Sequence, residues 1–175
     1  MTEKTIYLAG GCFWGTEHFM AMVNGVVNTE VGYANSIVPN PTYKDVCTGL
    51  TEAAETVKVV YDPDKVTLGF LLRLYFQTID PTSVNRQGAD HGTQYRTGIF
   101  YVDSSDKPVI EAAISELQRH CTAPVAIEVM PLRNFYPAEE YHQDYLDKNP
   151  GGYCHVSPEL FRLAREAKDP ATQKD

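Results

Sequence analysis

The sequence predicts an α+β sandwich, ferredoxin-like in class, with a split βαβ core, long loops and a C-terminal helical extension. Three observations carry this expectation. A short apolar run gives way through two glycines to a helical stretch. A cleanly alternating segment leads into a capped amphipathic helix. The whole chain then reads β-α-β-β-α-β-α-β, with helices short enough to cross one sheet face. In order, residues 6–9 form an apolar strand closed by Gly10-Gly11. Phe13, Trp14, Glu17, His18 and Met20 follow with helical character that ends by Gly25. Residues 26–33 are rich in β-branched side chains, and in residues 56–61 Val57, Val59 and Tyr61 share one face of a strand. After Asp62-Pro63, Thr67 is placed to cap a helix whose Leu68, Leu71, Leu72, Tyr75 and Phe76 fall on one stripe. Residues 96–102 read as extended. Ile110, Ile114, Leu117 and Cys121 recur at helical spacing behind Ser104-Ser105-Asp106. Residues 126–130 read as the last strand, 138–146 as a short polar helix, and Ser157-Pro158 as the start of a C-terminal helix. The long irregular stretches 34–55 and 81–94 are where a domain of this size places its site.

The 175 residues suit a single domain over 1–175, with 149–175 as a terminal segment and helix. Fifteen Lys and Arg stand against 23 Asp and Glu, and the resulting formal charge of −8 argues against nucleic acid or an anionic membrane surface as partner. No apolar run approaches the roughly 18 residues of a membrane span, and Met1 to Lys4 lead into the first strand with no signal-like segment. A cytoplasmic, monomeric protein is expected. Cysteines at 12, 47, 121 and 154 form no C-x-x-C pair, so zinc-ribbon spacing is absent and reactive thiols are a better expectation than a disulfide framework.

Cys12 follows two glycines at a strand-to-helix turn, which puts its sulfur near unpaired N–H groups of the first helical turn. Such a setting lowers a thiol's pKa from about 8.5 and favours the nucleophilic thiolate; the competing reading is a small buried core residue. Phe13 and the chain's single Trp, Trp14, either pack inward or wall a small apolar pocket beside that sulfur. Glu55 lies just before the alternating strand among apolar neighbours. Desolvation there would raise its pKa and leave a proton to donate, against the alternative of a solvated carboxylate. Asp90 reads as a turn residue; His91 and His142 are candidate bases or structural histidines. Among eleven tyrosines, Tyr43, Tyr95 and Tyr145 have hydroxyls suited to orienting a neutral oxygen. Cys154 follows Pro150-Gly151-Gly152, a flexible setting suited to condensing with an oxidised Cys12 or simply to an exposed bystander. Cys47 and Cys121 read as buried and inert.

Gly11-Cys12-Phe13-Trp14-Gly15 resembles the active-site motif of the A-type peptide methionine sulfoxide reductases, and further matches run through the chain in order. They are Asn40-Pro41-Thr42-Tyr43, Ala54-Glu55, residues 87–96 from Gln87 to Arg96, and Phe135-Tyr136-Pro137-Ala138-Glu139 on to His142-Gln143. The resemblance implies thiol-dependent reduction of the S epimer of methionine sulfoxide, free or in proteins, as a repair of oxidative damage. It implies Cys12 as nucleophile, Phe13 and Trp14 as walls for the S-methyl group, and Glu55 as the acid on the sulfoxide oxygen. Tyr43, Tyr95 and Asp90 would orient that oxygen and a water, His142 and Tyr145 would form the outer rim, and Cys154 would resolve the sulfenic acid. Thioredoxin is the implied partner, with no metal or organic cofactor. Three departures stand out: Asn35-Ser36 replaces a double glycine, Glu52-Ala53 replaces Gly-His, and Ala89 replaces Asn. No cysteine follows Cys154, so the Cys12–Cys154 disulfide would itself be the species thioredoxin reduces. Two other readings compete: a thiol peroxidase or acyl-transfer enzyme pairing Cys12 with His142, and a non-catalytic domain that binds methionine-containing peptides.

Overall fold

The alternation at residues 56–61 belongs to the central strand of a mixed α/β molecule, seen in a computed structural model that describes residues 2–172. In chain order the elements are β1 (Lys4–Ala9), α1 (Phe13–Ala21), β2 (Val26–Ala34), α2 (Tyr43–Cys47), β3 (Ala54–Tyr61), α3 (Leu68–Phe76) and β4 (Arg86–Gln87). They continue with β5 (Asp90–His91), β6 (Gly98–Tyr101), α4 (Lys107–Gln118), β7 (Glu128–Pro131), β8 (Phe135–Pro137), α5 (Tyr145–Lys148) and α6 (Pro158–Glu166). Six strands form one sheet in the order β7-β6-β1-β3-β2-β8, antiparallel except for the β6–β7 pair, while β4 and β5 make a separate small hairpin.

Period-two side-chain alternation divides the core between the two sheet faces. Ile6, Leu8, Val57, Val59 and Ile99 point toward the helices, where Phe19, Leu71, Leu72 and Ile110 meet them. Tyr7, Ala9, Ala34, Ala54 and Phe100 form a thinner layer behind, covered by Met130, Leu132 and Phe135. α3 is where the sequence predicts it. The Thr67 hydroxyl accepts from the Phe70 amide at 3.3 Å, and Leu71, Leu72 and Tyr75 are fully buried, the two leucines worth roughly 1.5–3 kcal/mol each. The Tyr75 hydroxyl donates to the Ala9 carbonyl, which fixes α3 against the exit of β1.

The chain departs from the sequence expectation in its short elements. α2, the β4–β5 hairpin and β8 are additional to the predicted order, and Glu55 is the second residue of β3 instead of preceding it. The helix expected over 138–146 is a 3₁₀ turn at Glu140–His142 and the four-residue α5, separated by Asp144 in left-handed conformation at φ 52°. α4 stops at Gln118, so Cys121 lies past its end and is half-buried, and Cys47 is exposed; neither is the buried thiol the sequence suggests. Ser157 occupies the N-cap of α6 with Pro158 at the first position, but its hydroxyl makes no capping bond. Beyond α6 the chain returns to the core, where Asp169 accepts from the Thr67 amide at 2.8 Å and its hydroxyl at 2.6 Å.

Candidate active site

Antiparallel pairing of β1 with β3 brings the exit of one strand beside the start of the other: Leu8 faces Val57, so the Gly10-Gly11 turn and Glu55 share one end of the sheet. Gly11 adopts φ +82°, and a Cβ there would lie 2.8 Å from the Gln87 Cβ, so conformation and space both require glycine. The turn places Cys12 at the N-cap of α1 in extended conformation, 7% exposed. On the neighbouring strand Glu55 is buried at 1% exposure; its Oε1 accepts from the Phe13 amide at 3.2 Å and its Oε2 from Gln94 Nε2 at 2.8 Å. Burial pushes its pKa up to about 8 against the pull of these two donors, so the carboxyl is mainly neutral at pH 7.

Cys12 is displaced in the direction opposite to the sequence expectation. Burial, then the Glu55 charge, pushes its thiol well above the ordinary range, and the Trp14 backbone amide opposes them without prevailing. A helix N-terminus is worth about 0.3–1 kcal/mol. Full desolvation shifts a pKa by up to about 3–5 units, at about 1.36 kcal/mol each, so burial wins. Cys12 is therefore a thiol in this geometry, beside a neutral acid.

Around the pair lie the hydroxyl-bearing residues. Tyr43 opens α2 and Tyr95 closes the 3₁₀ turn Thr93–Tyr95; burial raises both phenols, with the Glu55 charge the second cause for each. Both are therefore neutral donors. Asp90, in the β4–β5 hairpin, accepts from the Tyr153 hydroxyl at 3.0 Å. Phe13 is buried, with its ring 5.8 Å from Tyr33 and 5.2 Å from His142. Trp14 is half-buried and stacks on Tyr145 at 3.7 Å and 8°, an arrangement worth about 0.5–1.5 kcal/mol beyond area burial.

His142 is not at a rim. It is 1% exposed behind Trp14, and its Nδ1 accepts the indole N–H at 3.0 Å, which puts the neutral ring's proton on Nε2. Burial lowers its pKa against the Glu139 charge. Its one lone pair is engaged by Trp14, which removes His142 as a base for Cys12.

Cys154 is half-buried on a strap of residues 153–156 that lies over the first turn of α1. A Cβ on Gly15 would stand 3.0 Å from the Cys154 sulfur and 3.2 Å from Val156 Cγ2. The strap thus sits one helical turn from Cys12. A cleft of 530 Å³ opens beside Cys154, lined by His18, Leu146, Pro150, Pro158 and Phe161 among others. A larger groove of 960 Å³ between α3 and α4 contains none of these residues.

Sequence reasoning missed three supports. Gln94 holds Glu55 and lay unassigned inside a quoted motif. Glu139 joins the Tyr33 hydroxyl (2.8 Å) to the Tyr43 amide (2.9 Å); burial opposes its ionisation, but these bonds keep its pKa low. Glu17, buried in α1, accepts from the Asp144 amide at 2.7 Å and from Thr29 at 3.1 Å, and burial pushes it up to about 7. Only the last carried a signal, as a carboxylate on the inward stripe of a helix. Among the described residues no three His, Cys, Asp or Glu side chains are grouped to hold a metal, and no helix is long and apolar enough to cross a membrane.

Known proteins of one family are similar to this chain over most of its length. The family described as peptide methionine sulfoxide reductase matches residues 4–174. The peptide methionine sulfoxide reductase MsrA of Lachnoclostridium phytofermentans is 54% identical over 165 residues, covering 94% of this chain and 99% of that protein. The reduced form of Mxr1 from Saccharomyces cerevisiae superposes with a TM-score of 0.84 at 42% identity, covering 89% of this chain and 91% of that one. Mxr1 in complex with Trx2 matches with a TM-score of 0.59 at 29% identity, covering 82% and 84%.

Proposed function

Because the chain belongs to the peptide methionine sulfoxide reductase family, we propose that it reduces the S epimer of methionine sulfoxide, free or in proteins, with Cys12 as nucleophile and Glu55 as acid. The observation that carries the residue roles is Glu55: a buried carboxyl, neutral at pH 7, anchored to the amide of the residue after Cys12. Sulfoxide oxygen leaves sulfur only when protonated, and a neutral acid supplies that proton. As the Cys12 sulfur attacks the sulfoxide sulfur, Glu55 protonates the oxygen and the Cys12 thiol proton restores the carboxyl. Hydroxyl then passes to Cys12, giving the thioether and a Cys12 sulfenic acid. The raised thiol pKa fits this order, because ionisation is coupled to attack and does not precede it.

Phe13 and Trp14 wall the S-methyl group, with Trp14 braced by Tyr145 and by the His142 ring nitrogen. Tyr43, Tyr95 and Asp90 orient the oxygen. Cys154 then displaces hydroxide from the sulfenic acid, forming a disulfide and water. A thioredoxin-type dithiol reopens that disulfide by exchange, approaching through the cleft beside Cys154. The solved complex of the relative Mxr1 with Trx2 supports this recycling partner. The order of the inner strands, β6-β1-β3-β2, all antiparallel, supports reading the core as a split βαβ unit.

The test is single turnover with resolved sulfoxide epimers. Only the S form is expected to yield methionine, and Cys12→Ser should abolish release. Glu55→Gln should slow release by about 10²–10⁴-fold. In the wild type the rate should fall as pH rises through about 8, where Glu55 loses its proton, and this limb should vanish in Glu55→Gln. An unchanged rate in Glu55→Gln removes Glu55 from the mechanism.

A further inference from the structure

His155 is unaccounted for by the roles above. Neither of its ring nitrogens is accessible to solvent, and only the Gly10 carbonyl pulls on the ring as a hydrogen-bond acceptor, which leaves at least one nitrogen unpaired among the described residues. Buried imidazole nitrogens are normally bonded, and an apolar side chain would fill the same space without that cost. The ring's position is defined by two glycines: its Cε1 lies 3.4 Å from where a Cβ on Gly11 would stand, and 3.4 Å from the equivalent point on Gly15. Those residues flank Cys12, one before it and three after. The chain itself carries His155 directly behind Cys154, whose sulfur rests against the same Gly15. The imidazole therefore lies against the backbone on both sides of Cys12 and next in sequence to Cys154.

Disulfide formation needs a proton carrier at that place. Burial pushes the Cys154 thiol up, so it must lose a proton to attack, and hydroxide leaving the Cys12 sulfur must gain one. We propose that His155 moves this proton, accepting it from the Cys154 sulfur as the S–S bond forms and returning it to the oxygen as the Cys12 S–O bond breaks. Disulfide and water are the products, with no further oxidant or reductant. Burial holds the imidazole below the ordinary histidine range, with Asp90 and the Gly10 carbonyl pulling the other way, so one ring nitrogen is free to accept at neutral pH. The titratable groups around it are Asp90 on β5, Cys12 at the head of α1, and Tyr153 and Cys154 on its own strap. The proposal rests on the reading of Cys154 as the resolving thiol.

The experiment mixes reduced, reductant-free protein with methionine sulfoxide over a range of pH. It follows methionine release and the Cys12–Cys154 disulfide separately, trapping sulfenic acid with a 1,3-dione. His155→Gln is expected to release methionine in the first turnover and accumulate trappable sulfenic acid. Its disulfide step should be slower by about 10²-fold and without the wild-type inflection in the acidic-to-neutral range. A disulfide formed at the wild-type rate in this variant overturns the proposal. So does a slowed disulfide that keeps the wild-type pH profile, or an equal slowing of both steps, because either marks a packing role. A wild-type protein that releases methionine but never forms the Cys12–Cys154 bond overturns the resolving role of Cys154 itself, a result distinct from the others.

Discussion

Single residues explain two of the departures from the family pattern. Asn35 and Glu52, two positions where the sequence departs from the motif it resembles, have φ of 54° and 57°, the left-handed region where glycine is unstrained. Asn35 is compensated: its Oδ1 accepts from the Arg133 amide at 2.7 Å, and Ser36 donates its amide to Asn134 at 2.8 Å, so the segment is pinned to the loop between β7 and β8. Glu52 is exposed on the loop before β3. Left-handed conformation costs an L residue about 1–2 kcal/mol, partly offset in glycine by its greater unfolded-state entropy. Glu52→Gly should therefore raise stability by about 0.5–1 kcal/mol in a urea melt; a lower midpoint would contradict the strain. That Cys12, Phe13, Trp14 and Glu55 gather at one end of the sheet is readable from sequence, because motif spacing survives folding. The ionisation of Cys12 is not, because it depends on how much water packing removes.

At the scale of elements, long periodic segments are legible and short ones are not. α3 announces itself through Thr67 and its apolar stripe, whereas β8 has three residues, too few for a period, and exists because Tyr33 and Ala34 offer it a free edge. The break in 138–146 has a tertiary cause: Glu17 of α1 takes the Asp144 amide, and the chain turns there to set Tyr145 against Trp14. Glu17 also links pH to stability. Its folded pKa of about 7 lies above the ordinary carboxylate value of 4.5. Its contribution is therefore complete below pH 4.5 and is lost as pH rises through about 7. Glu17→Gln should flatten that part of the stability–pH curve measured by urea denaturation, with Glu55 supplying the slope that remains; an identical curve would show that Glu17 titrates as an exposed group.

For the whole molecule, the tail closes the structure on itself. Asp169, 2% exposed, reaches across more than a hundred residues of sequence to the cap of α3; burial opposes its ionisation, yet the Thr67 bonds hold its pKa low. Asp169→Ala should cost about 1–2 kcal/mol and lower Tm by about 2–8 °C, with faster proteolysis after residue 150. Loss of neither would show that the tail docks independently of this bond. Such closure is invisible in sequence, since nothing local marks a carboxylate as the partner of a distant threonine. The four sulfurs, finally, differ in reach: Cys47 is exposed, Cys121 and Cys154 are half-covered, and Cys12 is enclosed. A maleimide should tag Cys47 first, as peptide mapping of a brief labelling will show. Its adduct would press on Gln94, whose amide touches both that sulfur at 3.7 Å and Glu55 at 2.8 Å. Alkylation is then expected to perturb Glu55 with Cys12 unmodified, so inhibitor studies call for a Cys47→Ser background.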